Sequence, residues 1–165
     1  MATNTFKLCS LLMASLFAAC ASVQLDDPDW YFWLPLYSFA SYVNLMSCWL
    51  LSSRRLTAKI SVIAFLLGFF LFVKVVVEDH VNGIAGFCSV DTRERVVREK
   101  IGSGLVLVSM GLHLVESSIG KDNERQNTER SNASLHVQAG MVSLVCISYG
   151  LSLFFLLYHE EEMKF

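Results

Sequence analysis

The chain has 165 residues, of which 54% are apolar and only 17% are charged, and its net charge is −2. Soluble domains carry about 25% charged residues, so this composition argues against a soluble enzyme or binding domain. The slightly negative charge also argues against nucleic-acid binding, which calls for a clustered basic patch.

Five apolar segments follow one another, at residues 8–23, 34–51, 60–77, 101–119 and 137–158. Each is close to the ~20 residues with which a helix crosses ~30 Å of hydrocarbon, and a soluble domain of this length has no core that could bury five such helices. We therefore predict a single all-α domain over residues 1–165, an integral membrane bundle of five transmembrane helices. Their predicted bounds are about 8–25, 30–51, 60–77, 92–119 and 135–158.

The first segment leaves two interpretations open. Lys7, a short apolar run and Ala19-Cys20-Ala21 are typical of a cleavable signal peptide, and cleavage would leave four transmembrane helices. In the alternative, the helix is retained and ends near Leu25, with small residues such as Ser15 and Ala18 packing closely on a neighbour.

Aromatic residues mark both ends of the second segment. Tryptophan, tyrosine and phenylalanine fill residues 30–33, and Trp49 lies near the other end, so we expect aromatic belts at both membrane interfaces. Asp27-Pro28-Asp29 suits a helix start, with the first aspartate as N-cap, the proline at the first helical position and the second aspartate near the positive end of the helix dipole.

Pro35 lies close to the start of the same segment and interrupts its hydrogen-bonding pattern. Two structures are compatible with a proline at this position. Either a short interfacial turn precedes a helix that starts near Leu34, or the helix starts earlier and bends at the proline.

Charged residues interrupt the third segment and precede the fourth. Lys74 lies near the end of a run that holds fourteen Ile, Leu, Val or Phe residues, and we expect its ammonium group to snorkel to the headgroups. Asp91 and Glu94 resemble a capping box. The i,i+4 pairs Glu94–Arg98 and Arg95–Glu99 would support a charged helical extension before the fourth span.

The short loops indicate an orientation. Arg54, Arg55 and Lys59 lie between the second and third segments, whereas the turn at residues 26–30 is acidic. Because positive residues in short loops favour the cytoplasm, we predict a cytoplasmic N-terminus and an acidic turn that faces outside or into a lumen. Asn132-Ala133-Ser134 is a glycosylation sequon that this orientation keeps in the cytoplasm and unmodified.

Two polar stripes run along the predicted helices. They are Tyr37, Ser41, Asn44 and Cys48 on the second helix, and Ser109, His113, Glu116 and Ser117 on the fourth. Both should face the bundle interior. One interpretation is adhesion between helices, at roughly 0.6 kcal/mol per hydrogen bond. The other is an intramembrane polar path or pocket that uses Asn44, His113 and Glu116.

Acidic residues collect on one predicted face of the bundle. They are Asp26, Asp27, Asp29, Glu78, Asp79 and residues 160–162, with His80 and His159 beside them. Oxygen-rich clusters can bind cations, but the spacing matches no known metal loop, and the five cysteines form no CxxC pair. We therefore predict a solvated acidic rim with no metal, no cofactor and no disulfide scaffold.

One stretch resembles a known family. Gln24, Asp26-Asp27-Pro28-Asp29, Trp33 and Tyr37 are similar to the Q-x-[ND]-D-P-D…W…Y stretch at the first loop of the transmembrane protein 220 family. Arg98-Glu99 and the following Ser103-Gly104-Leu105-Val106 look like the start of that family's fourth helix. This chain has Asp26 where an asparagine is common, and its loop before the last helix is longer and more charged.

The resemblance implies a small multi-pass membrane protein that keeps its first helix, from a family with no established biochemical activity. Residue spacing and resemblance mark the same residues for testing, namely Gln24, Asp27, Asp29 and Trp33. We expect a non-enzymatic interaction or assembly component, with the lipid bilayer and other membrane proteins as partners. The alternative is a small transporter or ligand-binding bundle that uses the intramembrane polar faces, and a membrane enzyme at the acidic rim is the least favoured.

Overall fold

The computed structural model describes the backbone of residues 4–26, 29–48, 54–82, 95–119 and 127–162, and the side chains of 4–25, 29–48, 56–78, 80, 99–119 and 132–153. Five α-helices form over these residues, with a single 3-10 turn at Gln24–Asp26 after the first. They are α1 (Asn4–Val23), α2 (Trp30–Cys48), α3 (Arg54–Asn82), α4 (Arg95–Ile119) and α5 (Asn127–Glu162). The all-α prediction is confirmed for this part of the chain.

Within the described residues, four helices contain stretches long and apolar enough to cross a membrane, at Asn4–Val23, Leu56–Glu78, Glu99–Ile119 and Asn132–Leu153. The α2 helix is not among them, because its tryptophans, tyrosines, serines and asparagine lower its mean hydropathy. It is nevertheless 19 residues long, or about 28 Å, and it packs against α1, α3 and α4. The predicted membrane bundle of five helices is confirmed, with α2 held by its neighbours.

Helices α3 and α5 extend well beyond the apolar runs that predicted them. They contain 29 and 36 residues, or roughly 43 and 54 Å at 1.5 Å per residue. The apolar pattern marks only the part that hydrocarbon can contain, and the backbone hydrogen-bond ladder continues into the charged flanks. Helix α4 begins at Arg95 among the described residues, so the proposed capping box at Asp91 and Glu94 lies outside them.

Pro35 lies inside α2, and the helix runs without interruption from Trp30 to Cys48. The alternative of a separate interfacial turn before a helix that starts near Leu34 is therefore wrong. The first turn closes through a bond that the Phe32 N–H donates to the Asp29 carbonyl, at 3.1 Å. A proline this near the helix start removes only one ladder bond, the one to the Tyr31 carbonyl.

The five helices form a closed ring in which each packs against the next and α5 returns to α1. The α1–α2 and α3–α4 pairs pack most extensively, and α2 also contacts α4 across the ring. Every helix contributes fully buried apolar side chains to one core, among them Met13, Trp33, Leu71, Met110 and Met141. The α2–α4 contact therefore lies at the centre of the bundle.

Candidate functional site

A group of hydrogen-bonded polar side chains joins α2 to α4 at this central contact. It consists of Asn44 and Ser47 on α2 and Ser109 and His113 on α4, and we call it the central polar cluster. Asn44 and Ser109 are fully buried and His113 is 6% exposed. Both predicted polar stripes therefore contribute to one interior site.

Asn44 is the hub of the central polar cluster. Its Nδ2 donates to the Ala40 carbonyl at 2.9 Å and to Ser109 Oγ at 3.1 Å. Its Oδ1 accepts from His113 Nε2 at 2.9 Å and, over a longer 3.4 Å, from Ser109 Oγ. All four hydrogen-bonding positions of the amide are thus used, which is the condition under which a buried polar network is stable.

The bonds of His113 define its tautomer. Because an amide oxygen can only accept, Nε2 carries the proton that is donated to Asn44. In the neutral ring Nδ1 is then an acceptor, and the Ser47 hydroxyl lies 3.2 Å from it. The same hydroxyl also lies 2.9 Å from the Val43 carbonyl, so a single rotation of Ser47 chooses between the two acceptors.

An aromatic ring from α1 closes the central polar cluster. Phe6 packs edge-on against the His113 ring, with centroids 5.4 Å apart and an interplanar angle of 79°, and Phe6 is itself 2% exposed. Glu116, predicted to act with His113, takes no part in the cluster's hydrogen bonds among the described residues and is partly exposed. The arrangement suits adhesion between helices better than a polar path.

A second group lies at the end of the bundle where α1 leads into α2. Tyr37 stacks between Phe17 and Trp33, with ring centroids 6.3 and 6.2 Å apart and interplanar angles of 24° and 23°. We call Phe17, Gln24, Trp33 and Tyr37, with Gly102 beneath the tyrosine, the Tyr37 cluster. It contains three residues of the stretch that resembles the transmembrane protein 220 family.

The Tyr37 hydroxyl is held from three sides. The Gln24 side chain hydrogen-bonds to it, and the Glu99 carboxyl lies close enough to interact with it electrostatically. A Cβ atom added to Gly102 would clash with the Tyr37 hydroxyl oxygen. Tyr37 is 3% exposed and Glu99 is 6% exposed, so α2 and α4 meet here through a buried polar contact as well.

Two buried polar atoms of the Tyr37 cluster have no hydrogen-bond partner in the described part of the chain. They are the indole N–H nitrogen Nε1 of Trp33 and the amide oxygen Oε1 of Gln24. A buried polar group without a partner costs about 1–3 kcal/mol, and most such groups are satisfied. A donor and an acceptor left over in one cluster can together recognise a polar group.

Lys74 and Asp29 join α3 to the start of α2 beside this cluster. Lys74 Nζ lies 3.9 Å from Asp29 Oδ2 and 4.0 Å from Glu78 Oε2, and 5.6 Å above the centre of the Phe32 ring. The lysine is partly exposed, as expected for a residue that snorkels toward the headgroups. It also places a cation beside the Asp29 carboxylate.

Several predicted site residues lie outside what the structure describes. Asp27 and Pro28 are not described, and Asp26 is described only in its backbone, as the last residue of the 3-10 turn. Asn132 is exposed and lies within α5. Among the described side chains, no three of His, Cys, Asp and Glu lie close enough to hold a metal ion, and Cys9, Cys20, Cys48 and Cys146 are free thiols.

Sequence reasoning missed Ser47, Phe6 and the burial of Glu99. Ser47 lies three residues after Asn44, one place off the stripe of Tyr37, Ser41, Asn44 and Cys48, but the i,i+3 spacing could have identified it. Glu99 was placed in a charged extension of the helix. Its burial follows from the close approach of Tyr37 over Gly102, three residues further along α4.

Comparison with known protein families gives a match over more than half of the chain. The model of a family described as "Transmembrane family 220, helix" matches residues 16–115, which hold α2, α3 and most of α4. No curated protein and no solved structure matches the chain. With the four apolar helices, the match identifies a multi-pass membrane protein, and it supports the resemblance noted from the stretch between Gln24 and Tyr37.

Proposed function

This chain belongs to transmembrane family 220, and from that premise we propose that it is a non-enzymatic membrane component that binds a partner protein at the Tyr37 cluster. One observation carries the proposal. Trp33 Nε1 and Gln24 Oε1 are buried without a hydrogen-bond partner among the described residues, so the cluster holds a donor and an acceptor that a partner's polar group would satisfy.

The position of the cluster makes such contact feasible. Gln24 follows the last residue of α1, and Trp33 lies in the first turn of α2. Trp30 and Tyr31 are exposed beside them, and aromatic side chains are favoured both at membrane interfaces and in binding surfaces. A polar segment of a partner can approach this end of the bundle without crossing hydrocarbon.

Photo-crosslinking in the native membrane tests the proposal. We place a photoreactive residue at Tyr31, beside the cluster, and as a control at Leu66 on the lipid-facing side of α3; the two are 54% and 61% exposed. We expect a protein adduct of one defined mass from Tyr31 only. Trp33→Phe replaces the indole by a smaller aromatic ring and removes the N–H, so it should weaken that adduct.

Phe17→Leu separates loss of binding from loss of folding, because it shrinks another buried ring of the Tyr37 cluster but keeps the Trp33 N–H. In the isolated protein both substitutions should lower the free energy of unfolding through the cavity that the smaller side chain leaves, but only Trp33→Phe should weaken the Tyr31 adduct. Equal adducts at Tyr31 and Leu66, or a Tyr31 adduct that Trp33→Phe does not weaken, would contradict the proposal.

A transporter or ligand-binding bundle is the second candidate function, and it would use the central polar cluster. Its support is His113, an ionisable side chain buried within a candidate span, a position that commonly marks a functional group. Opposing it are the Phe6 ring over the histidine and the complete hydrogen bonding of Asn44.

For the orientation, we propose a cytoplasmic N-terminus. Arg54 and Arg55 are the first residues of α3, directly after the short α2–α3 connection, and Lys59 lies in the second turn of that helix, whereas residues 26–29 hold three aspartates. In this arrangement the Tyr37 cluster faces the outside or a lumen, and so would its partner segment.

A further inference from the structure

A lateral groove runs between α4 and α5 on the outer surface of the bundle. Its volume is about 470 Å³, within the ~300–1,000 Å³ range of small-molecule sites. The α4 wall includes Ile101, Gly104 and Val108, and the α5 wall includes Ser143, Ile147 and Leu151. The lining is apolar except for Ser143 and for Lys100 at one end.

The groove has the length of one lipid leaflet. From Lys100 to Val108 the α4 wall covers about 12 Å, and from Gly140 to Leu151 the α5 wall covers about 16 Å. The hydrocarbon core is ~30 Å thick, so the groove extends through about half of it. A partner transmembrane helix would need a surface through both leaflets, whereas one acyl chain occupies a single leaflet.

Lys100 lies at the polar end of this groove. The charged run at the start of α4 ends at Lys100 and the apolar segment begins at Ile101, so Lys100 lies at the membrane boundary, where its ammonium group can reach the phosphate level. The neighbouring Glu99 carboxyl is buried near Tyr37. A cation at the headgroup level above an apolar channel matches the two parts of an anionic phospholipid.

We propose that this groove binds one acyl chain of an anionic phospholipid, whose phosphate group lies against Lys100. The site is independent of the Tyr37 cluster and of the central polar cluster, because no residue that forms those clusters lines it. It assigns the α4–α5 face, of which the α5 wall lies beyond the residues matched by the family model.

Two glycines of α4 provide a matched pair for the test. A Cβ atom at Gly104 would meet Phe72 Cε2 at 3.9 Å, and one at Gly111 would meet Phe65 Cε2 at the same distance. Both sites accept a Cβ in ordinary contact, but only Gly104 lines the groove. Gly104→Leu should therefore fill the groove, and Gly111→Leu should leave it open.

The experiment is native mass spectrometry of the full chain in detergent, titrated with phosphatidylglycerol or phosphatidylcholine. We expect the wild type to bind one phosphatidylglycerol about fivefold more tightly than phosphatidylcholine, the effect of about 1 kcal/mol for one basic residue near a membrane surface. Lys100→Gln should remove that preference. Gly104→Leu should lose both lipids, and Gly111→Leu should bind like the wild type.

If Gly104→Leu does not fold, Ile147→Trp fills the groove from the α5 side, where Ile147 is 56% exposed. Equal affinity of the wild type for both lipids overturns the phosphate assignment. If lipid still binds after both groove-filling substitutions, Gly104→Leu and Ile147→Trp, the proposed binding site in the groove is wrong. A dimer of the wild type that Gly104→Leu dissociates would assign the groove to a second copy of the chain instead.

Discussion

The Tyr37 hydroxyl occupies the space that a side chain on Gly102 would need. Tyr37 is fixed there by the rings of Phe17 and Trp33 on either side, so it has little freedom to move away. At Gly104, two residues later on the same helix, the nearest atom is a phenylalanine carbon at 3.9 Å. The two glycines therefore have different roles in α4.

We predict that Gly102→Ala lowers the free energy of unfolding by about 1–3 kcal/mol, the usual cost of overpacking. Gly104→Ala should change it by less than about 1 kcal/mol, because its Cβ meets no close atom and alanine favours the helix. In a Tyr37→Phe background Gly102→Ala should cost less, since the clashing oxygen is gone. Reversible unfolding in mixed micelles measures all three, and equal effects of the two alanines would contradict the interpretation.

The central polar cluster gives a prediction about coupling. Asn44→Leu leaves the His113 Nε2–H and the Ser109 hydroxyl without their shared acceptor, and His113→Leu removes one of these donors. We expect each single variant to be destabilised and the double variant to be destabilised by less than the sum. The coupling should be about 0.6 kcal/mol and at most about 1.7 kcal/mol.

Ser148→Ala is the control, because within the described part of the chain the Ser148 hydroxyl bonds only to the Leu144 carbonyl of its own helix, and it should show no coupling to Asn44→Leu. The outcome also decides between the two functions considered for the cluster. A double variant as stable as the wild type would mean that these polar groups are not needed for adhesion, and it would favour transport or ligand binding.

At the level of helices, α1 is bonded to the rest of the bundle through its backbone. The Lys7 carbonyl accepts from Cys48 Sγ at 2.9 Å, the Ala14 carbonyl from Ser41 Oγ at 2.9 Å, and the Leu12 carbonyl from the Tyr149 hydroxyl at 3.0 Å. These bonds reach both α2 and α5. Removal of α1 would leave the half-buried Ser41 and Tyr149 hydroxyls without these acceptors and Cys48 Sγ with only the Asn44 carbonyl of its own helix, and it would uncover His113.

We therefore predict that α1 is retained in the membrane-inserted protein. Mass spectrometry of the protein extracted from membranes should recover peptides that contain Phe6 and Lys7. A mature N-terminus immediately after Ala19-Cys20-Ala21 would instead establish cleavage as a signal peptide. Substitution of Ser15 by Leu offers a second measurement: Ser15 lies 3.0 Å from the Tyr149 hydroxyl, so a retained α1 predicts reduced stability.

The sequence predicted helices better than it predicted their contacts. Apolar runs located the five helices that the structure describes, because a helix in hydrocarbon must satisfy its own backbone and needs apolar side chains on its surface. The sequence predicted that Asn44 and His113 face the bundle interior, but it did not predict that they contact each other. That contact depends on how α2 and α4 are rotated and shifted against one another. The clash at Gly102 depends on how closely α2 approaches α4, and no local sequence pattern encodes that distance.

For the molecule as a whole, α2 explains why polar residues concentrate at the centre. Over the residues that the structure describes, it is the helix without a window apolar enough to cross a membrane, and it contacts α1, α3 and α4. Its tyrosine, serine and asparagine side chains would be costly against lipid. Packed against α1, α3 and α4, its Asn44 and Ser47 side chains find partners on α4, so the polar contacts of α2 keep it within the bundle.

The orientation of the bundle gives the last prediction, since alternating spans place the α2–α3 and α3–α4 connections on opposite sides. Cys88 lies between α3 and α4, and the other four cysteines lie in helices. In sealed microsomes, whose outer surface is cytoplasmic, we expect a membrane-impermeant maleimide to miss Cys88 until detergent is added. In a Cys88→Ser background, Ser52→Cys should react without detergent, because Arg54 and Arg55 favour the cytoplasmic side for that loop. The reversed pattern, or a sugar on Asn132, would invert the bundle and would place the Tyr37 cluster and its partner in the cytoplasm.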